Sequence, residues 1–373
     1  MITIYAHSRI GFQPWHGAAE FHRAISRFMH DVEDLSDPRP LDRGPFNRHE
    51  AITAPIARFL VSRGVDFRFH STISDIIMDT VDDCHRVTAI KCETTGKWAT
   101  KTTIDLAPND IVIVSLGSSM SSSTAGTNTT PPELDIMEHN KEQDENWLLW
   151  LELCTKNPKF GNAYNFYTRK SESCLEVFTV TLRSPRFFEH FASLTGDKPG
   201  DSAIVTLKDS NWLLNISIPQ QPLFRDQPSD VHVLWGYAMY SANEGDFIKK
   251  PMVNCSGQEI MTEILCHLRF PTQEHEEEEV IRDSITIPCL FPRMTATLLP
   301  RAASDRPQII PEKMTNLALI GHFVEIPDEV VGMAGYGVKA AQIAVQKLMG
   351  LGGRGSTMTN HSKHSNHGKN RKE

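Results

Sequence analysis

Two short apolar runs of this sequence end in glycine, Val114-Ser-Leu-Gly117 and Leu319-Ile-Gly321. Because glycine has no side chain, backbone N–H groups at such strand ends can come close to a cofactor. The second run leads toward a helix, whose N-terminus carries partial positive charge and favours a phosphate or a flavin oxygen. The pattern indicates a dinucleotide site, for example for FAD, although any doubly wound sheet also produces it.

A complete dinucleotide site also needs a first strand and a Gly-x-Gly-x-x-Gly turn, with an acidic residue downstream for the ribose. No such unit precedes Ala18, and the glycine cluster Gly332, Gly335 and Gly337 has a different spacing. The sequence therefore predicts the later pieces of an FAD fold without the first strand and the glycine-rich turn.

The elements that must position these glycines alternate between helix and strand, which predicts an α/β protein. The predicted helices are residues 18–29, 50–62 and 338–348, from apolar residues at helical spacing, and the predicted strands are residues 86–92, 110–117 and 317–321. Residues 65–69 alternate as an extended segment. The apolar run that ends at Gly117 is typical of a parallel strand buried on both faces.

A second group of elements predicts an antiparallel substrate or lid domain of the α+β type. Its predicted strands are residues 203–207, 212–218 and 231–240, and its predicted helix is residues 257–268. The acidic run from Glu274 to Glu279 is interpreted as a solvated loop. The predicted division is 1–130 for the later half of the FAD domain with a helical insertion, 131–300 for the substrate domain, 301–352 for the returning strand and helix, and 353–373 for a disordered tail.

Composition sets further limits on function. The formal net charge of -8 gives no basic field of the kind that binds nucleic acid or anionic membranes. Seven cysteines without C-x-x-C spacing indicate neither a zinc site nor a disulfide framework. No apolar run approaches the roughly 18 residues of a membrane span. We expect a cytoplasmic protein, and a homodimer is left open.

Several segments, in the same order along most of the chain, resemble the oleate hydratases, formerly called myosin-cross-reactive antigens. They are Phe12-Gln-Pro-Trp-His16 with Glu20-Phe21, Val205-Thr-Leu-Lys-Asp-Ser-Asn-Trp-Leu-Leu214, Gln221-Pro222, Lys249-Lys-Pro-Met252, Ile287-Pro-Cys289, Leu299-Pro-Arg301 with Asp305-Arg-Pro307, and Gly321-His-Phe-Val-Glu-Ile-Pro327. One such segment would be weak evidence. Together they are specific for the family, in a form shortened at the amino terminus.

The resemblance implies that FAD supports the addition of water to the cis double bond of an unsaturated fatty acid. It implies that an acid protonates the alkene while a carboxylate orients the water. The implied neighbours of the flavin are Gly117, Ser118, Gly321, Phe323 and Val324. The flavin is expected to shape and tune the site without exchanging electrons with the substrate.

The chain departs from the family pattern at the catalytic groups. No residue of this sequence corresponds to the family's catalytic glutamate. The segment that carries the family's proton-donating tyrosine here runs from Phe46 to His49 and has no phenol. His49, with an ordinary pKa of about 6.5, is the candidate substitute, and a structural role at the start of a helix is the alternative.

The implied binding site for the fatty acid head group is also changed. Ser217, Pro219 and Leu223 stand where the family has threonine, asparagine and histidine, so Ser217 alone keeps a hydroxyl. Three hypotheses remain open: an oleate hydratase-like enzyme, a non-catalytic lipid- or flavin-binding relative or fragment of a longer product, and a different flavoenzyme on the same plan. Whether the chain is an enzyme is therefore left uncertain.

Overall fold

The computed structural model describes residues 11–28, 46–94, 100–137, 144–196, 198–200, 204–271 and 276–351, and the predicted tail lies outside them. The helices are α1 (Ala18–Phe28), α2 (Ala54–Ser62), α3 (Glu145–Lys156), α4 (Tyr164–Tyr167), α5 (Lys170–Ser173), α6 (Arg186–Thr195), α7 (Gly257–His267), α8 (Glu276–Asp283) and α9 (Ala334–Leu348). The strands are β1 (Ser71–Val81), β2 (Cys84–Thr94), β3 (Lys101–Asp105), β4 (Val112–Ser115), β5 (Thr124–Ala125), β6 (Leu175–Leu182), β7 (Val205–Thr206), β8 (Leu214–Ser217), β9 (His232–Ala238), β10 (Ser284–Phe291) and β11 (Leu317–Ile320). The mixed α/β class predicted from the sequence is confirmed.

Three sheets organise these elements. Strands β1, β2 and β3 form an antiparallel sheet, and β4 pairs with β11 in parallel. The third sheet is antiparallel and has the order β5-β10-β6-β9-β8-β7. The Rossmann-like interpretation of the parallel pair and the predicted domain boundaries remain predictions.

Two main hydrophobic clusters hold the elements together. One joins the first two sheets to α3, α9 and the loops near residues 296–331, and its largest members are Trp147, Trp150 and Phe323. The other fills the space between the six-stranded sheet and its helices, around Phe178 and Trp212. The loop at residues 158–160 and helix α3 therefore pack with the first cluster, whereas β5 pairs with the third sheet.

A buried amide side chain helps to connect the first two sheets. Asn316, which is 2% exposed, accepts a hydrogen bond from the Val87 N–H (2.8 Å) and donates to Val87 O (2.9 Å) and Asp110 O (3.1 Å). Val87 lies in β2, Asp110 precedes β4 and Asn316 itself precedes β11. The amide thus supplies the hydrogen bonds that a neighbouring strand would supply.

Two sequence predictions differ from the structure. Strand β4 was predicted to be buried on both faces, but Ile113 is 38% exposed, because among the described residues no further element covers that side of the strand pair. The acidic run was predicted to be a loop, but residues from Glu276 onward form α8. This helix is anchored by Val280, which is fully buried in the second cluster and offsets the repulsion among the acidic side chains.

An apolar strip is exposed on the helical turn before α2, on α2 itself and on the extended segment after it. Its members are Ile52, Ile56, Phe59, Phe67 and Phe69, which are 40–76% exposed. The Phe67 and Phe69 rings stack with centroids 6.2 Å apart. Contiguous apolar patches of this kind are unusual on monomeric soluble proteins and mark surfaces that bind something else.

We predict that the isolated chain self-associates through this strip. Light scattering at micromolar concentrations should show species heavier than the 42.0 kDa monomer. The double variant Ile56→Ser/Phe59→Ser should shift the population toward monomer, because it removes apolar area from the strip. The control Ile285→Ser changes an equally exposed residue of β10 outside the strip and should have no effect. A monodisperse 42.0 kDa wild-type protein would contradict the prediction.

Candidate functional site

The two glycine-ended strands lie side by side. Leu317 pairs with Val112 and Ile320 pairs with Ser115, so Gly117 and Gly321 both follow the same edge of the parallel pair. Leu116 N donates to Ile320 O (3.1 Å). Both glycines have positive φ, +54° and +105°, a conformation that residues with a side chain rarely adopt. The structure therefore brings together the two turns that the sequence singled out.

An aromatic cluster packs against this edge. The Phe323 ring lies 4.8 Å from Trp147, 5.4 Å from Trp150 and 5.4 Å from Phe166, measured between centroids. A Cβ at Gly117 would lie 3.2 Å from the Trp147 ring and 3.3 Å from the Phe323 ring. Gly117 is therefore needed for this packing as well as for backbone access.

Only some of the predicted flavin neighbours present surface to a ligand. Phe323 is 1% exposed and Val324 is fully buried, so both side chains belong to the core. The hydroxyl of Tyr336 donates to Val324 O (2.7 Å) and accepts from Ile326 N (3.1 Å). These two backbone groups of the loop are therefore already hydrogen-bonded within the protein. Gly117, Ser118 and Gly321 are half-buried and remain accessible.

The serine-rich loop after Gly117 is held by a buried carboxylate that the sequence reasoning missed. Asp144 accepts hydrogen bonds from Ser121 Oγ (2.5 Å), Ser122 Oγ (2.6 Å) and the Asn146 N–H (3.0 Å), and so caps helix α3. Burial alone would raise the pKa of Asp144, but these hydrogen bonds outweigh it and the pKa is lowered. The Arg293 guanidinium lies 3.5 Å from the carboxylate.

A second missed feature is a buried ion cluster beside the loop that follows β11. Glu20 on α1 lies 2.8 Å from Arg301 and 3.3 Å from Arg306, while Glu325 lies 2.6 Å from both Arg301 and Arg23. Burial lowers the pKa of Arg306. The cluster fixes α1 to the loop after β11, and its sequence signal was the presence of Glu20 and the two arginines in the segments that carried the resemblance.

His49 and Ser217 occupy different surroundings. His49 is exposed and begins a π-helical turn, His49–Thr53, before α2. Ser217 is 1% exposed at the end of β8, where it pairs with Trp235 of β9. The loop after Ser217 reaches back to the turn, since Leu223 O accepts from Asn47 N at 2.9 Å.

The fold is that of a mixed α/β protein in which a parallel strand pair with two glycine turns accompanies a six-stranded antiparallel sheet. In the described part of the chain, no helix has both the length and the apolar character needed to cross a bilayer. The chain belongs to the MCRA family, whose sequence model matches residues 3–346.

Two curated relatives match over most of this chain, and the membership predicted from the sequence is confirmed. The chain is 30% identical over 353 residues to an oleate hydratase of Streptococcus pyogenes serotype M49 (strain NZ131), covering 93% of this chain and 58% of that protein. It is 26% identical over 357 residues to a linoleate hydratase of Lactiplantibacillus plantarum, covering 91% and 62%. The chain thus spans about three fifths of the length of these relatives.

Proposed function

We propose that these residues form the fatty-acid-binding part and the later half of the FAD-binding part of an oleate hydratase-like flavoprotein, which adds water to the cis double bond of unsaturated fatty acids. The observation that carries the proposal is the match to hydratases along more than nine tenths of this chain. The parallel strand ends at Gly117 and Gly321 support it, because their half-buried backbone fits a flat ring placed against the sheet edge.

FAD fits the described residues at its ring end only. Gly117, Ser118 and Gly321 could hold the isoalloxazine ring, which when bound would shape the site and tune its electrostatics. Neither strand end leads into a Gly-x-Gly-x-x-Gly turn. Gly350, Gly352 and Gly355 have that spacing, but Gly350 follows helix α9, whereas the phosphate-binding turn must follow a strand. No catalytic step is therefore assigned to the cofactor.

The proposed site for the fatty acid is the apolar face of the six-stranded sheet opposite to the second hydrophobic cluster, where the half-buried Trp235 packs against the buried residues Leu175, Tyr237 and Met239. We call it the aromatic sheet face and define it by Leu175, Trp235, Tyr237 and Met239. The Trp235 and Tyr237 rings stack at 6.2 Å, and Trp235 is half-buried. Ser217 pairs with Trp235, and since paired residues share a face, its hydroxyl is placed beside this surface as the candidate head-group ligand.

A second candidate function is lipid or flavin binding without catalysis. It is favoured by the exposure of His49, because a general acid for an alkene must lie beside the bound chain. It is favoured also by Pro219 and Leu223, which offer no side-chain hydrogen bond to a carboxylate. Hydration separates the two candidates, since a protein that only binds lipid or flavin forms no hydroxy fatty acid.

Displacement of a fluorescent fatty acid by oleate tests the proposed binding surface. We expect wild-type protein to bind oleate and Trp235→Ala to bind it about tenfold more weakly, since burying an aromatic side chain contributes about 1.5–3 kcal/mol. The control Phe69→Ala removes an aromatic side chain that is 76% exposed on the apolar strip and should leave oleate affinity unchanged. Equal affinity in wild type and Trp235→Ala, with both folded by circular dichroism, would place the fatty acid elsewhere.

A further inference from the structure

Three side chains of metal-ligand type meet where helix α7 passes the loop that follows β9. His267 Nε2 lies 3.1 Å from Asp246 Oδ2 and 3.3 Å from Glu263 Oε1. One ligand atom from each of the three residues lies within 4.8 Å of the others. Glu263 and His267 are four residues apart on α7 and so share one face of the helix, while Asp246 comes from the loop.

The imidazole nitrogen is buried between the carboxylates and has no hydrogen bond to any described residue. The His267 side chain is 11% exposed, and Nε2 meets the geometry of a hydrogen bond with neither neighbouring oxygen. An N–H points in one direction and cannot serve two acceptors well, whereas a cation at the centre can be shared by all three ligand atoms. Metal–ligand distances of about 2.0–2.1 Å in a tetrahedral site imply ligand atoms roughly 3.3 Å apart. The two distances from His267 Nε2, 3.1 and 3.3 Å, match this spacing.

The carboxylates are fixed in place by backbone donors. Glu263 is fully buried, and its Oε1 accepts from Asp246 N (2.7 Å) while Oε2 accepts from Phe247 N (3.0 Å) and Ile248 N (2.7 Å). Asp246 Oδ2 accepts from Asn211 N (2.8 Å). The two oxygens nearest His267 each keep a lone pair for a further ligand, because each accepts one hydrogen bond.

We propose that Asp246, Glu263 and His267 form a binding site for a divalent transition-metal ion of the zinc type. One imidazole nitrogen with two carboxylate oxygens suits zinc or cobalt, whereas calcium and magnesium favour oxygen ligands alone. Two carboxylates balance the charge of the ion, and the Phe247 ring packs edge-on against His267 at 5.1 Å and shields one side. Asp246 is 28% exposed, which leaves a fourth position for water. The bound ion would join the loop to α7.

Zinc titration of the metal-stripped full chain tests the site. The variants are His267→Gln and Asp246→Asn, which removes a charge but keeps an acceptor for Asn211 N. Glu263 is left unchanged because three backbone N–H groups depend on it. The matched control is His190→Gln, a half-buried histidine of α6 whose Nε2 contacts Leu268 O. All proteins retain His361, His364 and His367, so zinc binding by those residues is a common background.

We expect isothermal titration to give one more zinc equivalent in wild type and His190→Gln than in His267→Gln, and at least about 100-fold weaker binding at this site in Asp246→Asn. Zinc should raise the melting temperature of wild type and of His190→Gln but not of His267→Gln. Equal zinc equivalents and equal zinc-dependent melting shifts in all four proteins would overturn the proposal.

Discussion

Incubation of the 373-residue chain with oleate and FAD should yield no hydroxystearate above a no-protein control. Water adds to an isolated alkene only when a positioned acid protonates it, and a single general acid contributes about 10²–10⁴-fold to such a rate. The sequence has Phe46 where a phenol is expected, and His49, the remaining candidate acid, is exposed at the start of a helical turn. Product above the control, measured by gas chromatography, would contradict this.

The experiment can also identify an unexpected acid. If product forms, His49→Gln should abolish it when His49 is the donor, because glutamine keeps the size and polarity of the side chain but cannot deliver the proton. The matched control His22→Gln changes another exposed histidine, on α1, and should leave the rate unchanged. Retained activity in His49→Gln would assign the acid to another residue.

Replacing Glu176 with glutamine should stabilise the protein at neutral and alkaline pH. Glu176 lies on β6 at a fully buried position, and in the described part of the chain neither of its carboxylate oxygens has a hydrogen-bond partner. Burial raises the pKa of this carboxyl well above its ordinary value of 4.5. Between pH 4.5 and that raised pKa, the folded protein therefore holds Glu176 neutral, whereas the unfolded chain ionises it.

The sign of the pH dependence follows from this difference. The stability associated with the neutral carboxyl is fully present below pH 4.5 and is lost as the pH rises toward the raised pKa of the folded state. Over that window, each pH unit should lower the free energy of unfolding of wild type relative to Glu176→Gln by about 1.4 kcal/mol. The amide cannot ionise, so the variant lacks this dependence.

Urea unfolding at a series of pH values from 5 to 8 measures the effect. The difference between Glu176→Gln and wild type should grow with pH, whereas the control Glu244→Gln, an exposed position, should differ from wild type by a constant amount. A constant difference for Glu176→Gln as well would mean that the carboxyl is ionised in the folded protein and has found a partner.

Local sequence patterns predicted individual helices and strands better than they predicted what packs against them. The run that ends at Gly117 is predicted to be a parallel strand because its apolar residues are contiguous. The structure pairs this strand in parallel with the run that ends at Gly321. The exposure of Ile113 was not predictable, since it depends on what packs over the strand and not on the strand itself. In the antiparallel sheet, strands β7, β8 and β9 were predicted, whereas β5, β6 and β10 were not.

Long-range charge pairs were the main omission in the candidate site. Helical spacing on α1 favours burial of Phe21, yet Phe21 is 38% exposed and Glu20 is 3% exposed. Glu20 is buried because Arg301 and Arg306, about 280 residues away in sequence, meet it there. Asp144 was missed for the same reason, since its neighbour Arg293 lies outside the local pattern.

The side-chain amide of Asn316 affects how easily the three-stranded sheet separates from the parallel strand pair. Because it supplies hydrogen bonds to Val87 and to Asp110, separating the three-stranded sheet from the parallel pair exposes unpaired backbone groups on both sides at once. We therefore expect local opening at this seam to be suppressed and the amide protons of β2, β4 and β11 to exchange with solvent at similar rates. In that case the two glycine turns follow strands that move together as one rigid unit.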